Sequence, residues 1–277
     1  MNTIKRSGSI ETVLAGTTTM RVGQRPRGRR AIAQTSRRRL LALAAAWMGV
    51  ASLPLRTAHA AKVAVEIAPP SRAIVQASER TSPLGETRTA VFAGGCFWGV
   101  QAVFQHTKGV LDAVSGYTGG SRETADYETT STVDTGHRQS VKVSFDPRVI
   151  NYTDLLHIFF SVAHDPTQTD GQNKDIGPQY LSALFLSDET QHEVARRYIE
   201  ELEEASFFPE RIVTELKPLD AFYPAEPEHQ NYVFNNPQAL YVIVVDKPML
   251  ANMERMFPDR YQSKPQLLDM RSFARIR

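Results

Sequence analysis

The segment Ala90-Val-Phe-Ala-Gly-Gly-Cys-Phe-Trp-Gly-Val100 changes its hydrophobic period in the middle. Thr89–Ala93 is a short continuous apolar run suited to a strand. Beyond the glycine pair, Phe97, Val100, Val103 and Phe104 recur at helical spacing, and Gly109 stands where such a helix would stop. The glycine pair breaks the strand and a turn into the helix follows. The one cysteine of the 277 residues, Cys96, falls at that turn. It is expected at a helix N-terminus, where unpaired N–H groups and the helix dipole favour an anion. That setting predicts a readily ionised thiol, and the thiolate is the nucleophile. Gly94 and Gly95 are read as clearing the approach to the sulfur, with Phe97 and Trp98 as an apolar wall. The opposed reading is a buried, inert thiol, because free cysteine is among the most buried residue types.

The rest of the chain mixes strand and helix patterns without strict alternation. Val110–Tyr117 and the alternating Val141, Val143 and Phe145 read as strands, as do Gln179–Leu186, Val213–Leu216 and Leu240–Val245. Tyr152–Val162 reads as a helix, and Ser187 is placed to cap another running to about Ala205, with Val194, Tyr198 and Leu202 as its stripe. The pattern predicts an α+β fold with helices packed on a mixed sheet. The stretch 61–87 is rich in Ala, Pro, Ser and charge, has no periodicity, and reads as a flexible linker. The main folded domain is then 88–262, with 263–277 as a C-terminal tail.

Charge is unevenly spread. Of 32 Lys/Arg and 30 Asp/Glu, eleven bases but a single acid, Glu11, lie in the first 60 residues, so the remainder is net acidic. An acidic body argues against nucleic acid as a partner. The basic leader has its own logic. Ser36-Arg-Arg-Arg-Leu-Leu41 precedes an apolar run to Leu53, which is followed by the small-x-small sequence Ala58-His-Ala60. These three parts predict an export signal of twin-arginine type over 1–60 and a periplasmic or secreted protein. The apolar run is about 14 residues, short of the roughly 20 that a spanning helix needs.

Six ordered blocks carry a family resemblance: Gly94-Gly-Cys-Phe-Trp-Gly99, Gly116-Tyr-Thr-Gly-Gly120, Asp134-Thr-Gly-His137, His164-Asp-Pro-Thr-Gln168, Asp175-Ile-Gly-Pro-Gln-Tyr180, and Phe222-Tyr-Pro-Ala-Glu226 with His229-Gln-x-Tyr232. Over roughly Thr89–Tyr261 the chain resembles the A-type peptide methionine sulfoxide reductases. The resemblance implies an α/β sandwich around a split β-α-β (ferredoxin-like) sheet. It also implies reduction of methionine S-sulfoxide, free or in proteins, the reversible step of methionine oxidation. By position, Cys96 would attack the sulfoxide sulfur and Phe97 and Trp98 would hold its methyl, with Gly95 and His137 on the substrate side. Tyr127 and Tyr180 would bond the oxygen and Asp175 would order the site.

The chain departs from the family pattern at three places. Gln139 stands where the family usually carries a glutamate; an amide can donate a hydrogen bond but cannot deliver a proton. Asp170-Gly-Gln-Asn-Lys174 replaces a stretch that commonly holds an arginine, and Leu181 replaces another, so the loop is expected to lose charged anchors. With no second cysteine, a sulfenic acid on Cys96 would need an external thiol, from a thioredoxin- or glutaredoxin-like protein or a small dithiol. No bound cofactor is expected, and no metal, because the histidines lack ligand spacing. A monomer is expected. The alternative is a catalytically weak homologue that binds methionine-containing partners without turnover.

Overall fold

The computed structural model describes residues 64–80 and 86–274. The expected export signal lies outside the described residues. In chain order the elements are α1 (Arg72–Arg80), β1 (Arg88–Ala93), α2 (Phe97–Gln105), β2 (Val110–Thr118), α3 (Tyr127–Thr132), β3 (Arg138–Phe145), α4 (Tyr152–Ile158), β4 (Gly171–Gln172), β5 (Asp175–Ile176), β6 (Ala183–Leu186), α5 (Glu189–Glu204), β7 (Glu215–Pro218), β8 (Tyr223–Pro224), α6 (Tyr232–Asn235), α7 (Lys247–Met256) and α8 (Met270–Phe273).

Six strands form one sheet in the order β7-β6-β1-β3-β2-β8, and β4 and β5 form a separate small hairpin. β1 and β2 each pair antiparallel with β3, which lies between them. They therefore run in the same direction, joined by α2 with a strand inserted between: the split β-α-β unit expected from the resemblance. β6 and β7 pair in parallel, so the sheet is mixed.

Ala90–Ala93 are all buried, so this strand is covered on both faces. Phe92 joins the large core with Phe104, Tyr152 and Phe159, its ring 4.7 Å from that of Phe104. Val91 and Ala93 face the other way, against Ala183, Phe185, Leu219 and Phe222. Two-sided burial explains why β1 reads as a continuous apolar run rather than an alternating one.

Several expectations need correction. The stretch 61–87 is not a flexible linker over its described part. Ile67 and Ile74 are core residues, Tyr198 Oη donates to Ala68 O (2.7 Å), and Ser71 N–H donates to Glu201 Oε2 (3.0 Å). Ile74 on α1 and Ile67 ahead of it are isolated buried side chains, a signal too sparse to show in an Ala/Ser/charge composition. The tail is packed as well through Ala274. Leu268 and Phe273 are buried against Val114, and Asn231 bonds both backbone groups of Leu268 (3.1 Å each). Leu240–Val245 is helical, with residues 242–246 in a π-helical turn leading into α7. Val242, Asp246 and Met253 are buried while Leu240, Ile243 and Val244 are exposed, a helical spacing masked by β-branched residues. Residues 178–180 form a 3₁₀ turn before β6, with Pro178 opening it. The cap of α5 is Asp188, one residue later than expected, accepting from Gln191 N–H at 2.8 Å.

Ile74→Ala tests whether α1 belongs to the fold. Removing this buried side chain (2% exposed) is expected to lower unfolding stability by about 2–5 kcal/mol in urea titration. A flexible linker would leave the midpoint unchanged.

Candidate active site

β1 ends at Ala93 and α2 begins at Phe97, with Cys96 in the N-cap position. Gly95 has φ +95°, a conformation that favours glycine. A Cβ there would lie 2.6 Å from Gln172 Cβ, and one on Gly94 would lie 2.8 Å from the Phe159 ring and 2.9 Å from His164 Cβ. The bare backbone therefore makes room for the protein's own β4–β5 hairpin and the 159–164 segment, not for substrate as the sequence suggested. Gln172 locks that hairpin, accepting from Asp165 N–H (2.8 Å) and donating to Asp165 O (2.7 Å). Asn173 N–H donates to Gln168 Oε1 (2.8 Å) and Gln168 Nε2 donates to Asp170 Oδ1 (2.9 Å). The altered 170–174 loop is thus anchored by hydrogen bonds to amide side chains where charged anchors were expected. Its close approach brings Asp175 to the thiol.

An aromatic box stands over the start of α2. Phe97 is fully buried, with its ring 5.7 Å from Tyr117 and 6.4 Å from Tyr127. Trp98 is partly exposed and stacks on Tyr232 at 3.7 Å, with Tyr241 edge-on at 5.8 Å. Trp98 Nε1–H donates to His229 Nδ1 (3.3 Å), and His229 stacks on Tyr127 at 4.2 Å. Burial lowers the His229 pKa, so the ring is a neutral acceptor. Two glutamines one turn apart on α2 hold the 229–232 segment in place. Gln101 donates to Gln230 Oε1 and accepts from Asn231 N–H (2.9 Å each), and Gln105 donates to Asn231 Oδ1 (2.7 Å). Glu226 fixes Tyr127 from the other side, accepting from Tyr127 N–H (3.1 Å) and Tyr117 Oη (2.9 Å).

The remaining predicted residues divide. Gln139, fully buried on β3, accepts from Phe97 N–H through Oε1 (3.1 Å), while its Nε2 has no hydrogen-bond partner. One end of the amide satisfies the helix and the other is an unused donor. Asp175 accepts from the Tyr241 hydroxyl, and Tyr127, Tyr180 and Tyr241 are all electrostatic neighbours of Cys96. Burial raises all three phenol pKa values, so they remain hydroxyl donors. His137 does not join them. Its Nδ1 accepts from Gly120 N–H (3.2 Å) and its Nε2 pairs with Ser121 O (2.8 Å). Both nitrogens are committed to shaping the 120–121 loop, which corrects its assignment to the substrate side.

Tyr241, Tyr232, His229 and Asp246 are site neighbours that sequence reasoning missed. His229 and Tyr232 lay in a matched block, so the signal was present. Tyr241 lay in the run Leu240–Val245 misread as a strand, and Asp246 directly follows it.

The thiol also departs from expectation. Burial pushes its pKa well above the ordinary value, and the carboxyls of Asp246 and Asp175 add to the rise. Hydrogen bonds from Trp98 N–H and Tyr241 Oη oppose it without prevailing. Cys96 is half-buried, and desolvation by its surroundings together with the negative neighbours outweighs the helix terminus, which favours the neutral thiol.

Such a site can hold a small apolar group on the aromatic wall while presenting hydroxyl and amide donors to an attached oxygen beside a sulfur nucleophile. Residues 88–261 match the model of the family described as peptide methionine sulfoxide reductase. The chain is 48% identical over 190 residues to peptide methionine sulfoxide reductase MsrA 2 of Mesorhizobium japonicum, covering 69% of this chain and 96% of that protein. It is 46% identical over 178 residues to MsrA 2 of Synechocystis, covering 64% and 83%. Among solved structures it resembles reduced Mxr1 from Saccharomyces cerevisiae, with TM-score 0.51, 30% identity, and coverage of 56% of this chain and 88% of that one.

The raised thiol pKa has a direct reading in solution. Alkylation of Cys96 by iodoacetamide in the full chain is expected to be slow at neutral pH and to keep climbing past pH 9.0, the ordinary thiol value. A rate already level below about pH 7 would contradict it.

Proposed function

Because the chain belongs to the A-type peptide methionine sulfoxide reductase family, we propose that its peptide-methionine (S)-S-oxide reductase activity runs through Cys96. The observation that carries this reading is the single thiol at the start of α2 facing an aromatic box and three phenol hydroxyls. The substrate methyl rests against Phe97 and Trp98. The oxygen is directed to Tyr127 and Tyr180, with the free Nε2 of Gln139 as a further donor. Donors aimed at an oxygen that gains charge stabilise the transition state more than the ground state.

The Cys96 sulfur attacks the sulfoxide sulfur, the oxygen takes up a proton, and the oxygen then passes to the Cys96 sulfur as the substrate S–O bond and the transient S–S bond break. Two electrons pass from the thiol to the sulfoxide sulfur, the thiol loses a proton while the transferred oxygen gains one, and the products are Cys96 sulfenic acid and methionine. Cys96 has no cysteine partner in the 277 residues. An external thiol then attacks the sulfenic sulfur and releases water, and a second thiol frees Cys96 from the mixed disulfide. The reductant fits a thioredoxin- or glutaredoxin-like protein or a small dithiol. The substrates are oxidised proteins and free methionine sulfoxide, and the role is repair. The twin-arginine-like leader supports export, and with it work in the periplasm or outside the cell.

Gln139 favours a slow enzyme. Its Oε1 is tied to Phe97 N–H and its amide carries no transferable proton. The weaker-homologue reading, binding without turnover, shares this observation, and one experiment separates the two. The full chain with excess dithiothreitol is expected to reduce a peptide methionine S-sulfoxide. Cys96→Ser abolishes turnover, and Gln139→Glu raises kcat by up to about 10²-fold. A wild-type chain and Gln139→Glu variant that both bind the peptide and leave it oxidised would sink the reductase mechanism and leave the binding role.

A further inference from the structure

Asp246 is buried (1% exposed) at the end of the π-helical turn, and neither carboxyl oxygen has a hydrogen-bond partner. Its position ahead of α7 suggests a helix cap, yet the side chain makes no capping bond. The carboxyl instead lies against the first turn of α2. A methyl group on Gly99, three residues past Cys96, would sit 2.6 Å from Oδ1. Buried polar groups are almost always paired, so an orphaned carboxyl at this place requires an explanation. Its titratable neighbours are Asp175 from the β4–β5 hairpin, Cys96 at the start of α2, and Tyr241 on its own helical run.

We propose that Asp246 is the proton store of the Cys96 site, a buried carboxylic acid that supplies the proton the sulfoxide oxygen takes up as it leaves sulfur. The proposal rests on the reductase reading above. Gln139 cannot serve, since an amide has no such proton. Burial, and then the Asp175 carboxyl, push the Asp246 pKa up to about 7, so the acid form is well populated at neutral pH. A neutral carboxyl also removes the cost of holding an unpaired anion in the core. The step balances without an added proton. Asp246 gives its proton to the oxygen, the Cys96–SH proton restores the acid, and thiol plus sulfoxide become sulfenic acid plus sulfide. Both oxygens are uncommitted to the fold, so they are open to a hydrogen bond from the occupied site.

The test measures kcat against pH for the full chain, its Asp246→Asn variant and the double variant with Gln139→Glu, using a peptide methionine S-sulfoxide and dithiothreitol. Asparagine keeps the size and removes the proton. Wild-type kcat is expected to exceed that of Asp246→Asn by about 10²-fold near pH 6, with the ratio shrinking toward one by about pH 8.5, where wild-type Asp246 is ionised. Adding Gln139→Glu restores the lost rate. Equal rates for wild type and Asp246→Asn, or a deficit constant across pH and not rescued, would overturn the proposal. If Asp246→Asn does not fold, wild-type kcat alone decides: a fall as pH rises through about 7 supports the proposal and a level profile overturns it. Wild-type chain without turnover would overturn the reductase reading itself, and this proposal with it.

Discussion

Everything at the site depends on how closely the end of β1 can approach the hairpin and helix around it. Gly94 and Gly95 have no side chain, and Phe159, His164 and Gln172 occupy the space a methyl group would need. Two consequences follow. Gly95 takes its left-handed backbone conformation, so the chain turns from strand into helix with Cys96 at the corner. The hairpin also comes near enough to bring Asp175 to the thiol, and Asp175 accepts from the Tyr241 hydroxyl. A side chain at either glycine would push away the groups that define the environment of the sulfur.

That environment is proton-rich rather than anionic. A helix N-terminus lowers a thiol pKa when the thiol is solvated, but here burial comes first and two carboxyls lie nearby. The same physics keeps Tyr127, Tyr180 and Tyr241 protonated and raises Asp175. A nucleophile held as the neutral thiol must lose its proton as it attacks, because the thiolate is the attacking species, and a neighbouring carboxyl can take that proton up. The site is therefore organised around moving protons between buried acids.

Sequence patterns revealed the parts of the fold whose signal is contiguous. β1, α2, β2 and β3 stood out because period and punctuation change together at Gly94-Gly95 and Gly109. The matched blocks located Cys96, Trp98, Asp175 and Tyr180, and position within the wider resemblance located Tyr127; the structure brings them to one place. What escaped was whatever depends on distant packing. α1 is docked by isolated isoleucines in a polar context. The helical nature of 240–246 was hidden because β-branched residues suggest a strand, although here several of them face outward. Tyr241 and Asp246 were lost with that segment. His137 was misassigned because a block match cannot show that both ring nitrogens are already bonded within a loop. The thiol pKa was misjudged because a local dipole is legible in sequence and desolvation is not.

The most direct measurement of the central claim is a single turnover without reductant. The full chain is mixed with excess methionine S-sulfoxide, and methionine release and the mass of the Cys96 peptide are followed together. The account predicts one methionine released per chain, then arrest, with one added oxygen on Cys96 that a sulfenic-acid trap captures. Release of methionine with Cys96 unmodified, or no release at all, would contradict it.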